Sequence, residues 1–206
     1  FNLLPIFPLD GGRILRGFLA LFLDYSKATH FAAETGRVLA VVLIIAAIFL
    51  KQFWLVLIGI FIFFGSKQEE KMYLIRHLLS DYKVSDVYRK NIISLKKTDM
   101  IFEISDLVLS SNQDYFPILE NGEVTGVITR ESVFKSYYDG NLRQVISELI
   151  SNDFVVIKEE ADLFRVLMDM IEGKVSLGIV YKDGKFTGLL TMREINNIYS
   201  LMKKQD

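Results

Sequence analysis

The C-terminal part of this sequence is written twice. "VSDV" at Val84 returns as "ISEL" at Ile146, and "NGEVTGVITRESV" from Asn121 returns as "DGKFTGLLTMREI" from Asp183. The pairs Gly122/Gly184, Gly126/Gly188 and Thr129/Thr191 are all 62 residues apart, and the two copies align without a gap. A unit of that length buries too little surface alone, so two copies are expected to pack on one another. Each copy reads as an extended apolar piece, an amphipathic helix, two short strands around a turn, and a closing helix. "ENGE" and "KDGK" supply the Asn-Gly and Asp-Gly signals of tight hairpins. The helix predicted over Asp162 to Glu172 sets Leu163, Val166, Leu167, Met170 and Ile171 on one stripe.

The N-terminal part is of another kind. Hydrophobic residues make up 51% of the chain and mean hydropathy is +0.30 despite 24% charged residues, which indicates a very apolar segment joined to an ordinary soluble one. A short apolar helix is predicted over Arg13 to Leu23, ended by the polar run Asp24 to Lys27. A second runs from about Thr29 to Leu50, where Ala32, Ala33, Gly36, Ala40, Ala46 and Ala47 suit close helix packing in lipid. Val38 to Leu50 is uninterruptedly apolar, and a third apolar run extends from Phe53 to Phe64. As one helix, Val38 to Phe64 would be about 40 Å long, beyond the roughly 30 Å hydrocarbon core. It would also bury Lys51 at mid-span, at high cost. A hairpin turning at Lys51 and Gln52 avoids both. Lys27 and Arg37 then share one end with Lys67, Lys71 and Arg76, and basic flanks of that kind mark the cytosolic side, which puts the repeat in the cytosol. Asp10 lies 14 residues before Asp24, about 20 Å into the membrane if the helix is continuous.

Several classes of function are excluded. The net charge of −1 leaves no footprint for nucleic acid. With no cysteine there is no thiol nucleophile, no disulfide framework and no Cys-ligated zinc in this chain. The sequence opens at Phe1 without a signal-peptide n-region and reads as a piece whose N-terminal part is missing.

The repeat, through its "V-x-D-V" opening, its strand–turn–"G-x-x-T" endings and its tandem arrangement, resembles the CBS domain over roughly Tyr82 to Lys204. The resemblance implies a flat paired module that commonly binds adenine nucleotides, ATP or AMP, in clefts between the copies. In that family an acidic residue three positions after the last threonine holds the ribose hydroxyls. Here Thr191 is followed by Glu194, whereas the first copy has Ser132 at that position. Thr191 and Glu194 are therefore the nucleotide-site candidates, and a purely structural pair without ligand is the alternative. Such pairs also suggest homodimers.

The stretch with Asn2, Pro5, Pro8 and "LDGGRILR" from Leu9 to Arg16 resembles the second half of the core of site-2 proteases, intramembrane zinc metalloproteases. In that family two zinc ligands come from a His-Glu-x-x-His helix and the third is the aspartate of the "L-D-G" motif. The resemblance implies that Asp10 is a zinc ligand and that Asn2 binds the substrate backbone or the tetrahedral oxygen. A carboxylate at membrane depth needs an opposite charge, which a metal supplies; Asp10 as a helix N-cap is the plainer alternative. Pro5 and Pro8 keep the preceding backbone out of helix. Arg13 and Arg16 read as snorkelling residues, His30 as a membrane-interface residue and His77 as a linker residue.

The expected fold is a polytopic α-helical membrane segment followed by an α+β tandem CBS pair. Residues 1–66 form the C-terminal part of the protease core, 67–81 a linker, 82–143 the first CBS domain and 144–206 the second. The expected function is an intramembrane zinc endopeptidase of the cell membrane that cleaves single-span substrates in the lipid bilayer, with the CBS pair as a nucleotide-responsive regulator. Lacking the His-Glu-x-x-His helix, this segment alone is expected to be inactive. The alternatives are a transporter or channel gated by the CBS pair, and a nucleotide sensor without catalysis.

Overall fold

The computed structural model describes residues 2–202; the expected boundaries at Phe1 and at 203–206 lie outside them. The chain divides between Leu78 and Leu79 into two compact units.

The first unit holds three helices, α1 (Asp10–Leu19), α2 (Tyr25–Phe49) and α3 (Phe53–Leu79). The hairpin expected at Lys51 is present, and its chemistry is specific. Lys51 sits at φ 55°, its N–H bonds the Ile48 carbonyl at 3.1 Å, and the Gln52 N–H reaches back to Ala47 at 2.9 Å. That bond pair is a Schellman closure of α2, and it satisfies carbonyls the helix end would leave free. The buried side of α2 consists of small residues, among them Ala28, Ala32, Gly36, Ala40 and Ala47, while Ala46 faces out. They let α3 approach so closely that a Cβ on Gly59 would lie 2.5 Å from the Ile44 side chain.

Three sequence readings change here. The α1 helix ends at Leu19 and the chain turns before Tyr25, so the helix assumed continuous to Asp24 is broken and the depth worked out for Asp10 does not hold. The stretch 67–81, expected to link the two parts, is helical through Leu79 because α3 continues past its apolar part. Among the described residues one helix, α2, is long and apolar enough to cross a membrane. The apolar run of α3, Phe53 to Phe64, spans only about 18 Å.

The second unit contains two α+β copies. The first has α4 (Ile101–Ser110), a hairpin of β1 (Tyr115–Glu120) and β2 (Glu123–Thr129), and α5 (Arg130–Tyr138). The second has β3 (Val155–Lys158), α6 (Leu163–Glu172), β4 (Leu177–Lys182), β5 (Lys185–Thr191) and α7 (Met192–Met202). Both hairpins turn as predicted: Asn121 and Gly122 take φ 53° and 87°, Asp183 and Gly184 take 49° and 75°, the two left-handed residues a type I′ turn requires. In α6, Leu163, Val166, Leu167 and Met170 are buried as expected, but Ile171 is exposed. Asp162 caps that helix, accepting from the Arg165 N–H at 2.7 Å.

The copies interlock reciprocally. Arg89, leading into the first copy, pairs with Leu189 on β5, and its counterpart Ser151 pairs with Val127 on β2. Lys83 meets Asp162, and the counterpart pair is Val145 with Met100. Val127, Leu177, Ile179 and Leu189 form the buried contact between the two sheets, and Leu95, Ile101, Phe116, Ile128 and Ile146 fill the core of the first copy.

Candidate functional site

In the first unit the residues before α1 fold back across its start. The Gly11 N–H bonds the Asn2 carbonyl at 2.8 Å, and the Gly12 N–H bonds Leu9 at 3.0 Å. This is why the motif carries two glycines: a Cβ on Gly12 would lie 2.5 Å from the Phe7 nitrogen, and one on Gly11 would collide with the Leu3 and Leu4 carbonyls. Phe7 is fully buried, and its carbonyl accepts from the buried Ser66 hydroxyl on α3 at 2.6 Å. Pro8 packs onto Gly65, where an added Cβ would sit 2.6 Å from the ring. The Phe7–Pro8 peptide is cis.

Asp10 is the first residue of α1, and Leu9, in extended conformation, occupies the cap position without a side-chain bond. The capping alternative for Asp10 therefore fails. Its carboxylate is exposed. Asn2 is exposed too, and its carbonyl is tied to Gly11, so the loop brings both candidates to the same end of α1. Among the described residues no three His, Cys, Asp or Glu side chains stand close enough to hold a metal ion. The described residues alone thus bring together no zinc site, and Asp10 stands as a single exposed carboxylate. The arginines and His30 are engaged elsewhere: Arg13 pairs with Glu69 at 3.2 Å, Arg16 lies over the rings of Phe7 and Tyr25, and His30 Nδ1 is 2.5 Å from Glu70. His77 stacks on Tyr73 within α3.

In the second unit Thr191 and Glu194 do come together. Glu194 Oε2 accepts from the Thr191 N–H at 3.0 Å and from its hydroxyl, so the glutamate reaches back over the first turn of α7 as in a capping box. Its other oxygen meets Arg89 at 3.3 Å, and Arg193 beside it pairs with Asp114. Arg89 and Asp114 belong to the first copy, so two ion pairs cross the cleft. Arg130 stands 3.8 Å from Asp114 while its guanidinium donates to the Ser111 and Gln113 carbonyls. Arg89, Asp114, Thr191, Arg193 and Glu194 line a cleft open to solvent, whose recess of about 20 Å³ has room for about one water. Sequence reading missed Arg89, Asp114 and Arg193. The signal was the repeat offset: their counterparts are Ser151, Ser176 and Glu131, so the copies differ in charge where they line the cleft.

A second buried polar group lies beyond this cleft. Glu159 is 6% exposed and takes the Tyr88 hydroxyl at 2.9 Å and the Lys182 ammonium at 2.7 Å. Lys182, then Tyr88, hold its carboxyl below the usual range, and Glu159 in turn raises Lys182.

The profile of the CBS domain matches residues 84–139 and 146–200. The chain belongs to the CBS-domain family. Among solved structures it resembles the CBS domain of a bacterial CNNM/CorC family Mg2+ transporter in complex with ATP (TM-score 0.56, 16% identity, 65% of this chain and 97% of that one). It also resembles the CBS pair of MJ0100 in complex with 5-methylthioadenosine and S-adenosyl-L-methionine (TM-score 0.51, 21% identity, 58% and 96%). At such identities these likenesses establish the fold. Among curated proteins it is 28% identical over 206 residues to "Zinc metalloprotease MJ0392" of Methanocaldococcus jannaschii, covering all of this chain and 58% of the relative. It is 33% identical over 140 residues to Rip3 of Mycobacterium tuberculosis, which also carries a zinc metalloprotease name, covering 62% of this chain and 35% of the relative. The chain thus spans about half or less of the curated relatives it matches.

Proposed function

We propose that this chain is the C-terminal part of a site-2-protease-like intramembrane zinc endopeptidase whose CBS pair responds to an adenine nucleotide. The observation that carries the reading is the likeness, along the full chain, to an archaeal protein named as a zinc metalloprotease. The exposed carboxylate of Asp10 supports it: among the described residues it has no hydrogen-bond or ion-pair partner, so it is available as a donor. Bound zinc would polarise a scissile carbonyl and lower the pKa of its water to about 7. What this chain contributes is placement. The loop over Gly11 and Gly12 fixes Asp10 at the start of α1, where the helix dipole favours its negative charge. Asn2, exposed and tied through its carbonyl to the Gly11 N–H, is offered as a hydrogen-bonding partner for substrate backbone. The remaining donors and the general base belong to a His-Glu-x-x-His helix outside these 206 residues, so the chain by itself is expected not to cleave peptide bonds.

A membrane setting agrees with the surface of the first unit, where Phe22, Phe31, Val42, Phe49, Trp54, Phe61 and Phe64 are exposed. Charge is gathered at one end of the α2–α3 hairpin, in the contacts of Arg37 with Glu34 and Glu70 and of His30 with Glu70, and Lys51 is alone at the turn. The substrates of such an enzyme are single-span membrane proteins, and a homodimer through the CBS pair fits the same reading. A transporter or channel using the pair as a gate is the rival reading, suggested by the transporter module that shares the fold.

Asp10→Asn in the longer natural protein separates these. An amide keeps the size and much of the local geometry but ligates zinc poorly. The protease reading expects normal membrane accumulation, reduced zinc and lost cleavage of a membrane substrate. Retained cleavage at unchanged zinc content would remove Asp10 from the ligand set.

A further inference from the structure

We infer that the groove between the start of α2 and the latter part of α3 binds the headgroup of an anionic phospholipid from the bilayer around the hairpin. This rests on the membrane reading above and adds a lipid ligand to it. The groove encloses about 570 Å³, within the size range of small-ligand sites. Its lining is of two kinds. Leu23, Phe31 and Leu74 give it apolar surface, and Leu23 and Phe31 are exposed. Ser26, Lys27 and His30, also exposed, add a hydroxyl, an ammonium and an imidazole. A phospholipid carries both matching parts, a phosphate for the cation and acyl chains for the apolar surface. A soluble phosphate compound would share the cation but has no use for Leu23, Phe31 and Leu74.

The acidic groups nearby do not cancel that cation. Glu70, which also lines the groove, accepts from Arg37 at 2.7 Å and stands 2.5 Å from His30 Nδ1, so its charge is already answered. Asp24 meets Lys27 at 3.2 Å, but these side chains are 78% and 73% exposed, so the pair is weak and a phosphate can take the ammonium. Depth brings the groove to the headgroups. The charged turn at Lys51 belongs in one polar face of the bilayer, and α2 runs back from it unbroken to Tyr25. From Leu50 back to His30 is about 20 residues, or about 30 Å, the thickness of the hydrocarbon core. Lys27 and His30 therefore reach the opposite phosphate level, where basic residues just beyond a membrane helix receive anionic headgroups. Tyr73, another lining residue, packs on Tyr25 with ring centroids 5.2 Å apart, and tyrosines are enriched at that level.

The experiment is native mass spectrometry of the full chain, released from detergent micelles that contain equal phosphatidylglycerol and phosphatidylcholine, for the wild type and three variants. The wild type should retain one phosphatidylglycerol about fivefold over phosphatidylcholine, the upper range for one exposed charge contact. Lys27→Gln should bring the two lipids to about even, and Lys27→Arg should restore the preference. Lys71→Gln removes an exposed charge on α3 outside the groove and should change the ratio by less than about twofold. Millimolar glycerol phosphate should leave the lipid in place. Equal losses in Lys27→Gln and Lys71→Gln would reduce the effect to diffuse surface charge and overturn the site. Displacement by glycerol phosphate would make the groove a site for soluble phosphate and overturn the lipid. Flotation of the same chain with phosphatidylcholine vesicles separates this inference from the reading beneath it. A chain that stays behind overturns the membrane reading and the lipid site with it, whereas one that floats yet shows no preference overturns the lipid site alone.

Discussion

Gly126 and Gly188 are counterparts in the repeat, yet replacing each by alanine should cost very different amounts. At Gly188 a new Cβ would land on the Arg89 carbonyl oxygen and 2.7 and 2.9 Å from the Tyr88 ring. Relief requires the Arg89 backbone to retreat by roughly 1 Å to reach ordinary contact distance. That segment is held by the Arg89 N–H to Leu189 at 2.8 Å and the Leu189 N–H to Arg89 at 3.0 Å, and both would stretch or break. At about 0.5–1.5 kcal/mol net per bond and about 1–3 kcal/mol for overpacking, Gly188→Ala should lose about 2–6 kcal/mol. At Gly126 the obstacle is the Cγ2 methyl of Ile150, with Asn152 Oδ1 and the Ser151 carbonyl at 3.4 Å. A side-chain methyl can turn aside, at about 0.5–1.5 kcal/mol for a strained rotamer. Urea unfolding followed by near-ultraviolet circular dichroism of the tyrosines reads both. With a slope of about 2 kcal/mol/M, Gly188→Ala should lower the midpoint by roughly 1–3 M and Gly126→Ala by a few tenths. Equal losses, or a larger loss at Gly126, would refute the claim that backbone contact at Arg89 sets the cost. Gly188→Ala should also weaken nucleotide binding, since Arg89 faces Glu194.

Two further outcomes are expected. Glu159→Gln should destabilise the second unit most near neutral pH. The lowered carboxyl stabilises above the ordinary glutamate value of about 4.3 and loses that contribution as pH falls through its depressed folded value. The raised Lys182 stabilises below the ordinary lysine value of about 10.4 and loses it as pH rises through its elevated one. The gap in urea midpoint between wild type and variant should therefore narrow at both extremes; a gap constant with pH would contradict the ion pair as its source. A tag fused to the C-terminus should be protected from protease added outside intact cells, because the basic flanks lie on that side, and digestion of the tag would reverse the assigned orientation.

The features legible from sequence were those carried by local chemistry. Asn121-Gly122 and Asp183-Gly184 announced their turns because few other residues adopt two successive left-handed conformations. Lys51 and Gln52 announced the break in the apolar run, though not the Schellman closure. The extended piece of the first copy did not become a named strand as its counterpart β3 did. The reason lies 20 residues away: the buried Gln113 amide receives the Ile93 N–H at 2.9 Å and donates to the Ile93 carbonyl at 2.7 Å. A side chain has taken the place of a neighbouring strand, leaving only the Leu95–Ile118 bridge. The nucleotide-site candidates were half legible. Thr191 and Glu194 are local and were implied by the resemblance to the CBS family, but Arg89 is 105 residues from Glu194 and Asp114 is 79 from Arg193. Contacts at that separation arise from the interlock of the copies, which no local pattern encodes. For Asp10, the residue type at a helix start suggested a cap, and only the backbone showed that Leu9 holds that position.

The reciprocal pairing of the copies has a consequence for how such a chain could arise. Each repeat carries both a lead-in that needs an acceptor and an acceptor that needs a lead-in, as Arg89–Leu189 and Ser151–Val127 display. Two separate molecules of one repeat could therefore satisfy each other about a twofold axis, in a closed and self-complementary association. The present unit is that symmetric pair with its two halves made continuous. Once joined, they need no longer be identical, and one of the two clefts was free to acquire arginines, Arg89 from the first copy and Arg193 from the second, that its twin does without.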